Sequence, residues 1–411
     1  MQKFEKHSPV VVTEVTTKHE LRQFMQYPNR LYADNPNYIP SFYGDDLSDW
    51  TPGKNPAFDY CEARCWLAWR DGEIVGRIGA ILSHKANDKF GTHRMRFSQV
   101  DFVDDSEVSA ALFGTVERWA RQKGCDQVHG PLGFTDMDRE GMLVEGFDRR
   151  SLFFTNYNAP YYLEHLTRLG YRKDVDWIEY RITVPEPGGA EAERLHKLSE
   201  FILKRKHLHV ATVHHKSEYG PFVRQVFELV NAAYAPLYGV VELSDEQIER
   251  YANKFIPLVD PDFVCFVLDE QDKLVAFGVT TLDPSPALKH SDGRLFPFGW
   301  AEVLNDLHHG DTLIMLLTAV RPDLQTEGIN AVMMDHVCQS CNRHGVQFAE
   351  TGPMLELNDH ILAQWKRLEK EQHKRRRCFI KDLDHGINAA NAAAAAQAEA
   401  PEAAPAAESA E

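Results

Sequence analysis

The chain has 411 residues, of which 43% are hydrophobic and 11% aromatic, so it can bury a sizeable core and is long enough for two domains. Its formal charge is −16, from 45 Lys and Arg against 61 Asp and Glu. An acidic chain excludes nucleic acid as the default partner, because phosphate binding depends on clustered positive charge.

The first half of the chain has the pattern of a mixed α/β domain. Two strand-like runs, residues 64–69 and 73–82, are joined by Asp71-Gly72, which is a strong hairpin signal. A third run at 94–102 precedes an amphipathic helix capped by Asp105 or Ser106 and a short strand at 127–129. A helix at 160–169 and strands at 171–183 are predicted to close this half.

The second half repeats this order of elements. Helices are predicted at 221–234 and 245–255, and strands follow at 263–268 and 274–281. The run 312–320 is almost wholly apolar, as expected for a strand buried on both faces, and a helix and a strand at 346–351 come next. The order predicts an α/β fold with a mixed sheet, not a helix bundle or a sandwich.

The composition changes at two places along the chain. The stretch V-P-E-P-G-G near the midpoint predicts a linker, so we expect domains at 1–184 and 191–387 joined by residues 185–190. Residues 388–411 are Ala-rich and acidic, which predicts a disordered tail. The basic run H-K-R-R-R at 373–377 is expected to be a solvated helix end before a last strand, with an anion-binding patch as the alternative.

Compartment signals point to a cytoplasmic protein. The longest apolar stretch, residues 313–317, is too short to span a membrane, and the N-terminus lacks the layout of a signal peptide. Seven cysteines, an odd number, fit a reducing compartment better than a disulfide framework. Cys338 and Cys341 have no second C-x-x-C nearby, so we expect thiols packed within a helix and no metal; a metal or redox role is the alternative.

The turn at residues 320–331 is the strongest candidate for a ligand site. It joins the apolar strand to an amphipathic helix, so backbone N–H groups and the positive helix end would meet at one point, which suits a pyrophosphate. Gly328 would let the ligand approach the backbone closely, and an ordinary turn glycine is the alternative. The turn is neither a G-K-[ST] phosphate loop nor a G-x-G-x-x-G dinucleotide turn.

The motif Q-T-E-G-I-N in this turn resembles the pyrophosphate motif Q/R-x-x-G-x-G/A of the acyl-CoA N-acyltransferase (GNAT) superfamily. Gln325 and Gly328 match, whereas Asn330 replaces the usual Gly or Ala. The resemblance covers 260–385 well and 60–183 more loosely, and it implies two GNAT-like folds in tandem. It also implies that the second fold binds acetyl-CoA or a longer acyl-CoA through Val320, Arg321, Gln325, Thr326, Glu327, Gly328, Ile329 and Asn330.

The same resemblance implies roles for residues that follow the turn. Asn358 corresponds to the family's contact with the pantetheine arm, and a helix N-cap is the alternative. Glu350 is the candidate general base, because alternation places it at a strand end among apolar neighbours that would raise its pKa; a Glu in solvent or in an ion pair is the alternative. Trp365 stands where many members carry a Tyr that protonates the thiolate, a role that indole cannot perform.

The first half differs at the matching turn. It reads V-D-D-S-E, without a glycine, and its three acids would repel a pyrophosphate, so we expect no CoA there. The run from Asn158 to Tyr171 still resembles the family's late helix. Tyr157 and Asn158 at its start are therefore expected to contact the acceptor.

An acidic cluster lies in a glycine-rich stretch of the first half. Asp136 and Asp138 belong to a D-x-D-x-E-G sequence that begins like a calcium loop but has Phe147 where that loop needs a bidentate Glu. We expect these two acids to receive a cationic amine, with turn-forming acids as the alternative.

Two irregular segments, residues 35–43 and 294–300, are rich in aromatic residues and proline. They are expected to line a hydrophobic acyl or substrate channel, with loops packed over the core as the alternative.

Together these features predict an N-acyltransferase that transfers an acyl group from acyl-CoA to an amine, which could belong to a lipid or an amino-acid-like molecule. The acceptor would lie at the junction of the two halves, and peripheral membrane contact is expected if it is a lipid. A non-catalytic acyl-CoA sensor and a GNAT-like pseudoenzyme scaffold are the alternatives.

Overall fold

The structure is a computed structural model that describes residues 8–383, so the tail predicted at 388–411 lies outside the described residues. Within residues 8–383, fourteen strands form one mixed sheet. They are β1 (Val11–Glu14), β2 (Cys61–Arg70), β3 (Glu73–Ser83), β4 (Arg94–Phe102), β5 (Gln127–Gly130), β6 (Met142–Glu145), β7 (Arg172–Thr183), β8 (His209–Val210), β9 (Val264–Leu268), β10 (Leu274–Leu282), β11 (Thr312–Val320), β12 (Phe348–Thr351), β13 (Met354–Leu355) and β14 (Lys370–Asp382).

Helices cover both faces of this sheet, which confirms the mixed α/β class. None of the helices between residues 8 and 383 has the length and apolarity needed to cross a membrane. The helices are α1 (Lys18–Leu31), α2 (Tyr43–Asp49), α3 (His84–Phe90), α4 (Ser106–Gln122), α5 (Tyr161–Arg168), α6 (Ala190–Lys206), α7 (Gly220–Tyr234), α8 (Asp245–Phe255), α9 (Ser285–His290), α10 (Gly299–His309), α11 (Asn330–His344) and α12 (Asp359–Ala363).

The strand order is symmetric about a central antiparallel pair, β7 and β14. It runs β1-β2-β3-β4-β5-β14-β7-β12-β11-β10-β9-β8, with β6 beside β14 and β13 beside β7. The pairs β4–β5 and β11–β12 are parallel and occupy equivalent places on the two sides. Strand β14 comes from the second half but pairs with β5, and β7 comes from the first half but pairs with β12. The last strand of each half therefore completes the sheet of the other half.

This exchange of strands bears on the predicted domain boundary. Residues 185–189 lie between the end of β7 and the start of α6, and the last residue of the predicted linker, Ala190, begins α6. Because the two halves share one sheet, however, the division into 1–184 and 191–387 stays a prediction.

Local sequence accounts for several elements. Asp71 and Gly72 adopt φ values of 51° and 82°, which a tight hairpin between β2 and β3 requires, and the predicted hairpin is confirmed. The apolar run at 312–320 forms β11, as predicted. Cys338 and Cys341 are free and buried within α11, as expected for packing thiols.

The interpretation of residues 373–377 as a solvated helix end is wrong. These residues lie inside β14, where Lys374 and Arg376 are 1% and 0% exposed. Arg376 donates to Glu179 on β7 with a distance of 2.5 Å between Nε and Oε1, and Lys374 Nζ lies 3.2 Å from the other Glu179 oxygen. The basic residues are buried because β7 supplies their partners.

The core divides between the two faces of the sheet. In the first half, Ala80 packs with α4 on one face and Ile81 packs with Phe24 of α1 on the other. In the second half, Leu313 and Ala349 pack with α11, whereas Phe277 and Ala319 pack with α7. We name these two faces of the second half the α11 face and the α7 face.

Candidate acyl-CoA site

Strand β11 is paired with the parallel strand β12 over only part of its length. Residues Thr312 to Met315 pair with Phe348 to Thr351, and the β10–β11 register shifts at this level, leaving Leu316 unmatched. An extra residue bends a strand, so β11 moves away from the chain that follows β12. Residues 315–318 are half-buried although both ends of β11 are buried. The sheet thus has a gap between β11 and the chain that follows β12.

A cavity of about 170 Å³ occupies this gap. Its wall includes Met315 and Leu317 of β11, Met333 and Val337 of α11, and Trp365 after α12. Tyr234 of α7 lines the cavity as well, so the cavity reaches both faces of the sheet. A concave, mainly apolar wall with few polar groups is suited to an alkyl or acyl chain.

The turn at residues 325–330 borders this cavity, and Asn330 belongs to its wall. Gly328 has φ of 81°, a conformation that glycine adopts without strain. The backbone N–H groups of Gly328, Ile329 and Asn330 have no hydrogen-bond acceptor among residues 8–383. Three free donors at the start of the 15-residue helix α11 form an anion-binding arrangement beside an apolar cavity.

The charged side chains of the turn have partners. Arg321 donates to Asp323 at 2.7 Å and lies 3.6 Å from Asp269. Lys206, at the end of α6, lies 2.6 Å from Glu327, and this hydrogen bond lowers the pKa of the Glu327 carboxyl. The negative charge of Glu327 is therefore balanced by Lys206. Val320 accepts a 3.4 Å bond from the Gln325 amide, and no partner of the Thr326 hydroxyl is found in the described region.

Asn358 caps α12. Its side-chain oxygen accepts the backbone N–H of Ile361 at 3.3 Å, so the structure shows the N-cap that was the alternative for this residue. Ile361 and Trp365 line the cavity, and Asn358 itself does not. Its contact with a pantetheine arm stays a prediction.

Glu350 lies on the α7 face, because its neighbour Ala349 packs with α11 and alternation points Glu350 the other way. Burial raises the pKa of Glu350, and Lys374 opposes this shift from 3.2 Å. His373 Nε2 lies 3.7 Å from the carboxylate, and its burial lowers the pKa of His373 to about 3. The ion pair is thus observed, and the role of general base stays a prediction.

Tyr234 is a cavity residue that sequence analysis did not identify. Its hydroxyl donates to the backbone oxygen of Thr318 on β11 at 2.9 Å. Burial raises the pKa of Tyr234 to about 12, and the charge of Asp136 adds to this effect. The helix that carries Tyr234 was predicted, but nothing local indicated that its last residue packs over the gap.

The loop between β5 and β6 contains three acids with different surroundings. Asp138 accepts the backbone N–H groups of Phe134 and Thr135 at 2.8 and 3.2 Å, so it stabilises the loop itself. Asp136 and Glu140 have neither an ion-pair partner nor a hydrogen bond to another side chain within residues 8–383. Burial raises the pKa of Asp136 to about 6 and that of Glu140 well above its usual range.

Tyr157 and Asn158 hold loops of the first half together. Asn158 accepts the backbone N–H of Leu143 at 3.0 Å, and the Tyr157 hydroxyl accepts from the Asn35 amide at 2.7 Å. Neither residue lines the cavity, and their contact with an acceptor stays a prediction.

The first half has a smaller cavity, about 60 Å³, beside Ser98 and Gln99 of β4, and the end of β4 is closed. There the Tyr162 ring packs on Phe102 with 4.2 Å between ring centroids, and the neighbouring Tyr161 stacks on Tyr162. Asp105 caps α4 and pairs with Arg70 at 2.5 Å. Aromatic and charged side chains of the protein thus close the end of β4.

Solved structures share this architecture. A tandem GNAT protein from the clavulanic acid biosynthesis pathway matches with a TM-score of 0.51 and 14% identity, over 91% of this chain and 98% of that chain. A GCN5-related glucosamine N-acetyltransferase region of a fungal multi-domain GH3 beta-N-acetylglucosaminidase matches with a TM-score of 0.52 and 10% identity, over 92% of this chain and 38% of that one. The protein has the tandem GNAT fold.

Two curated proteins are similar in sequence, whereas no family model matches the chain. Protein YghO of Escherichia coli (strain K12) is 27% identical over 379 residues, which are 91% of this chain and 95% of YghO. The bacterial ceramide synthase of Caulobacter vibrioides is 28% identical over 300 residues, which are 71% of this chain and 75% of the synthase.

Proposed function

We propose that the protein is an N-acyltransferase that transfers an acyl group from acyl-CoA to a long-chain amine. The observation that carries this proposal is the apolar cavity that passes through the sheet and adjoins the free N–H groups of the 325–330 turn. The similarity to a protein named bacterial ceramide synthase supports a lipid amine as the acceptor class.

In this proposal the two faces of the sheet have different roles. The turn at the start of α11 binds the pyrophosphate of CoA, and the thioester lies in the gap between β11 and β12. The amine approaches from the α7 face, where Glu350, Tyr234 and the loop with Asp136 and Glu140 lie. The unpaired Asp136 carboxylate of that loop attracts the protonated amine.

The reaction joins the amine nitrogen to the acyl carbon and breaks the carbon–sulfur bond. Glu350 accepts the proton that leaves the amine, and the raised pKa of its carboxyl favours that task. Tyr234 carries the hydroxyl that can return a proton to the CoA thiolate. Its position beside Thr318 on the gap supports this role.

The test is an assay of the purified protein with palmitoyl-CoA and a long-chain amine. We expect free thiol and amide to appear in equal amounts, and no thiol when the amine is left out. Glu350→Gln should retain acyl-CoA binding and lose turnover by about two to four decades, the usual contribution of acid–base catalysis. Binding of acyl-CoA without thiol release would instead support the alternative of a non-catalytic acyl-CoA sensor.

A further inference from the structure

The connection between β10 and β11 presents large apolar side chains to solvent. Phe296 is 83% exposed and Phe298 75%, and on the adjoining helix α10 Trp300 is 49% and Leu304 42% exposed. We name these four residues the aromatic ridge. The sequence-based prediction that residues 294–300 line a channel or cover the core is wrong for these aromatics, because they point outwards.

Helix α10, which follows Phe296 and Phe298, carries apolar residues on both its buried and its exposed side. Val303 and Leu307 of α10 face inwards and are buried, whereas Trp300 and Leu304 face outwards. The indole N–H of Trp300 donates to the backbone oxygen of Pro297 at 3.1 Å, so its polar group is already paired. A helix that keeps apolar residues on its exposed side is suited to an apolar environment there.

The inner side of α10 is continuous with the cavity in the sheet. Val303 and Leu307 pack in one cluster with Phe153, and Leu316 packs against that cluster. Leu316 is the unmatched residue of β11 and also lines the cavity. Apolar side chains thus extend from the cavity wall to the ridge.

We propose that the aromatic ridge docks the protein on a zwitterionic lipid bilayer, from which the long-chain amine reaches the cavity. This inference rests on the proposed function for the identity of the amine. Short helices with Trp, Phe and Leu on one side bind in the interfacial region of bilayers. Indole and phenyl rings are favoured at that depth.

The charge of the protein favours this partner over the others that an apolar surface could bind. A second copy carries the same −16, and an anionic membrane would also repel it. Residues 289–309 contain two cations, Lys289 and Arg294, against three carboxylates, Asp292, Glu302 and Asp306. A nearly neutral ridge on an acidic protein fits a lipid surface without net charge.

The experiment is flotation of the full chain with vesicles of phosphatidylcholine, without acyl-CoA. We expect wild type to float with the vesicles and Phe296→Ser/Phe298→Ser to lose about 100-fold or more in partition coefficient, since each ring contributes about 1.5–3 kcal/mol on burial. Phe201→Ser, at a residue 57% exposed on α6, is the matched control and should float like wild type.

A second variant measures contact rather than affinity. Trp300→Phe keeps the apolar area, so it should still float, but the blue shift of tryptophan emission that vesicles cause in wild type should be absent. Flotation that phosphatidylglycerol strengthens and salt abolishes would overturn the proposal, because it would show electrostatic binding. A wild-type dimer in sedimentation velocity that Phe296→Ser/Phe298→Ser dissociates, without flotation of either protein, would also overturn it.

Acyl transfer to a water-soluble short-chain amine separates this proposal from the proposed function. Phe296→Ser/Phe298→Ser should perform that transfer like wild type. Flotation of wild type without any acyl transfer would refute the proposed N-acyltransferase activity but support the proposed contact with the bilayer.

Discussion

The hydroxyl of Tyr162 accepts the backbone N–H of Phe102 at 2.8 Å, at the end of β4. Tyr161 donates to the backbone oxygen of the same residue. In the second half of the protein, the equivalent strand β11 borders an open cavity. The two halves thus share an architecture, but the cavity beside β11, about 170 Å³, is larger than the one beside β4, about 60 Å³.

This difference predicts that one molecule of acyl-CoA binds per chain. Titration calorimetry of the full chain with palmitoyl-CoA should give a stoichiometry of one, because Asp104, Asp105 and Glu107 follow β4 and would repel a pyrophosphate. Two equivalent sites would contradict the assignment. A fragment ending at residue 184 is unsuitable for this test, since it lacks β14, which completes the sheet beside β5.

Gly328→Val should abolish measurable acyl-CoA binding. A Cβ at position 328 would lie 3.1 Å from Ile202 Cδ1, and φ of 81° strains any branched side chain, so the turn must change shape. Loss of two hydrogen bonds to a charged ligand costs roughly 3–6 kcal/mol, or about two to four decades in affinity.

Gly345→Val is the matched control for this substitution. Gly345 has φ of 71°, so a valine there would be under similar backbone strain to a valine at position 328. It lies at the opposite end of α11 from the turn, with open space around it. Calorimetry should show normal binding in this control. If Gly328→Val binds palmitoyl-CoA as wild type does, the turn is not the pyrophosphate site.

Gly278→Leu should exclude long acyl chains. Gly278 lines the cavity, and a Cβ there would make ordinary contact with Met333 at 3.8 Å, so the rest of a leucine side chain would fill the cavity with little strain. We expect palmitoyl transfer to fall more than acetyl transfer, measured as the ratio of kcat/KM for the two thioesters. Gly114→Leu on α4, where a new Cβ meets no atom within 4 Å, should leave that ratio unchanged.

Local signals predicted the elements that form around this site but not their assembly. The hairpin at Asp71-Gly72, the apolar β11 and the turn at Gly328 are all encoded within a few residues, and the structure contains each of them. The pairing of β14 with β5 joins residues about 250 positions apart, and no pattern near either strand specifies it. The buried state of Arg376 was misjudged for a similar reason, since its partner Glu179 is 197 positions away in sequence.

The cavity was missed for a related reason. Its wall combines residues from both sheet faces, and its existence depends on one unmatched residue, Leu316, in a strand that reads as uniformly apolar. Periodicity identifies which side chains are buried, but it does not indicate that one residue of β11 has no partner on β10.

The exchanged strands predict cooperative unfolding of the two halves. Arg376 of β14 and Glu179 of β7 are both fully buried, so Arg376→Met leaves a carboxylate with Lys374 alone. Breaking one member of a buried pair typically costs about 3–5 kcal/mol. Urea unfolding should show a single transition at lower urea concentration. The double variant Glu179→Leu/Arg376→Met should regain part of the lost free energy of unfolding, because no buried charge is left without a partner. Two separate unfolding transitions in wild type would contradict a sheet shared by the two halves.

The raised pKa of Asp136 predicts that a rise in pH has opposite effects on acceptor binding and on the stability of the fold. Burial raises the pKa of Asp136 to about 6 from a usual value of 3.8, so the folded protein keeps the proton over a range in which the unfolded chain has lost it. Its contribution to stability is therefore greatest below pH 3.8 and is lost as the pH rises towards about 6. A protonated amine, by contrast, needs the ionised carboxylate.

We therefore expect the KM for a long-chain amine to fall as the pH rises through about 6, and Asp136→Asn to raise KM and weaken that dependence. The same variant should have a higher Tm than wild type at pH 8, because it removes a charge that its half-buried site disfavours, and an equal Tm near pH 4. Asp148→Asn, at a side chain 83% exposed, is the control and should change neither quantity. An unaltered pH profile of KM in Asp136→Asn, with the Tm difference present, would show that this carboxylate is buried without contacting the acceptor.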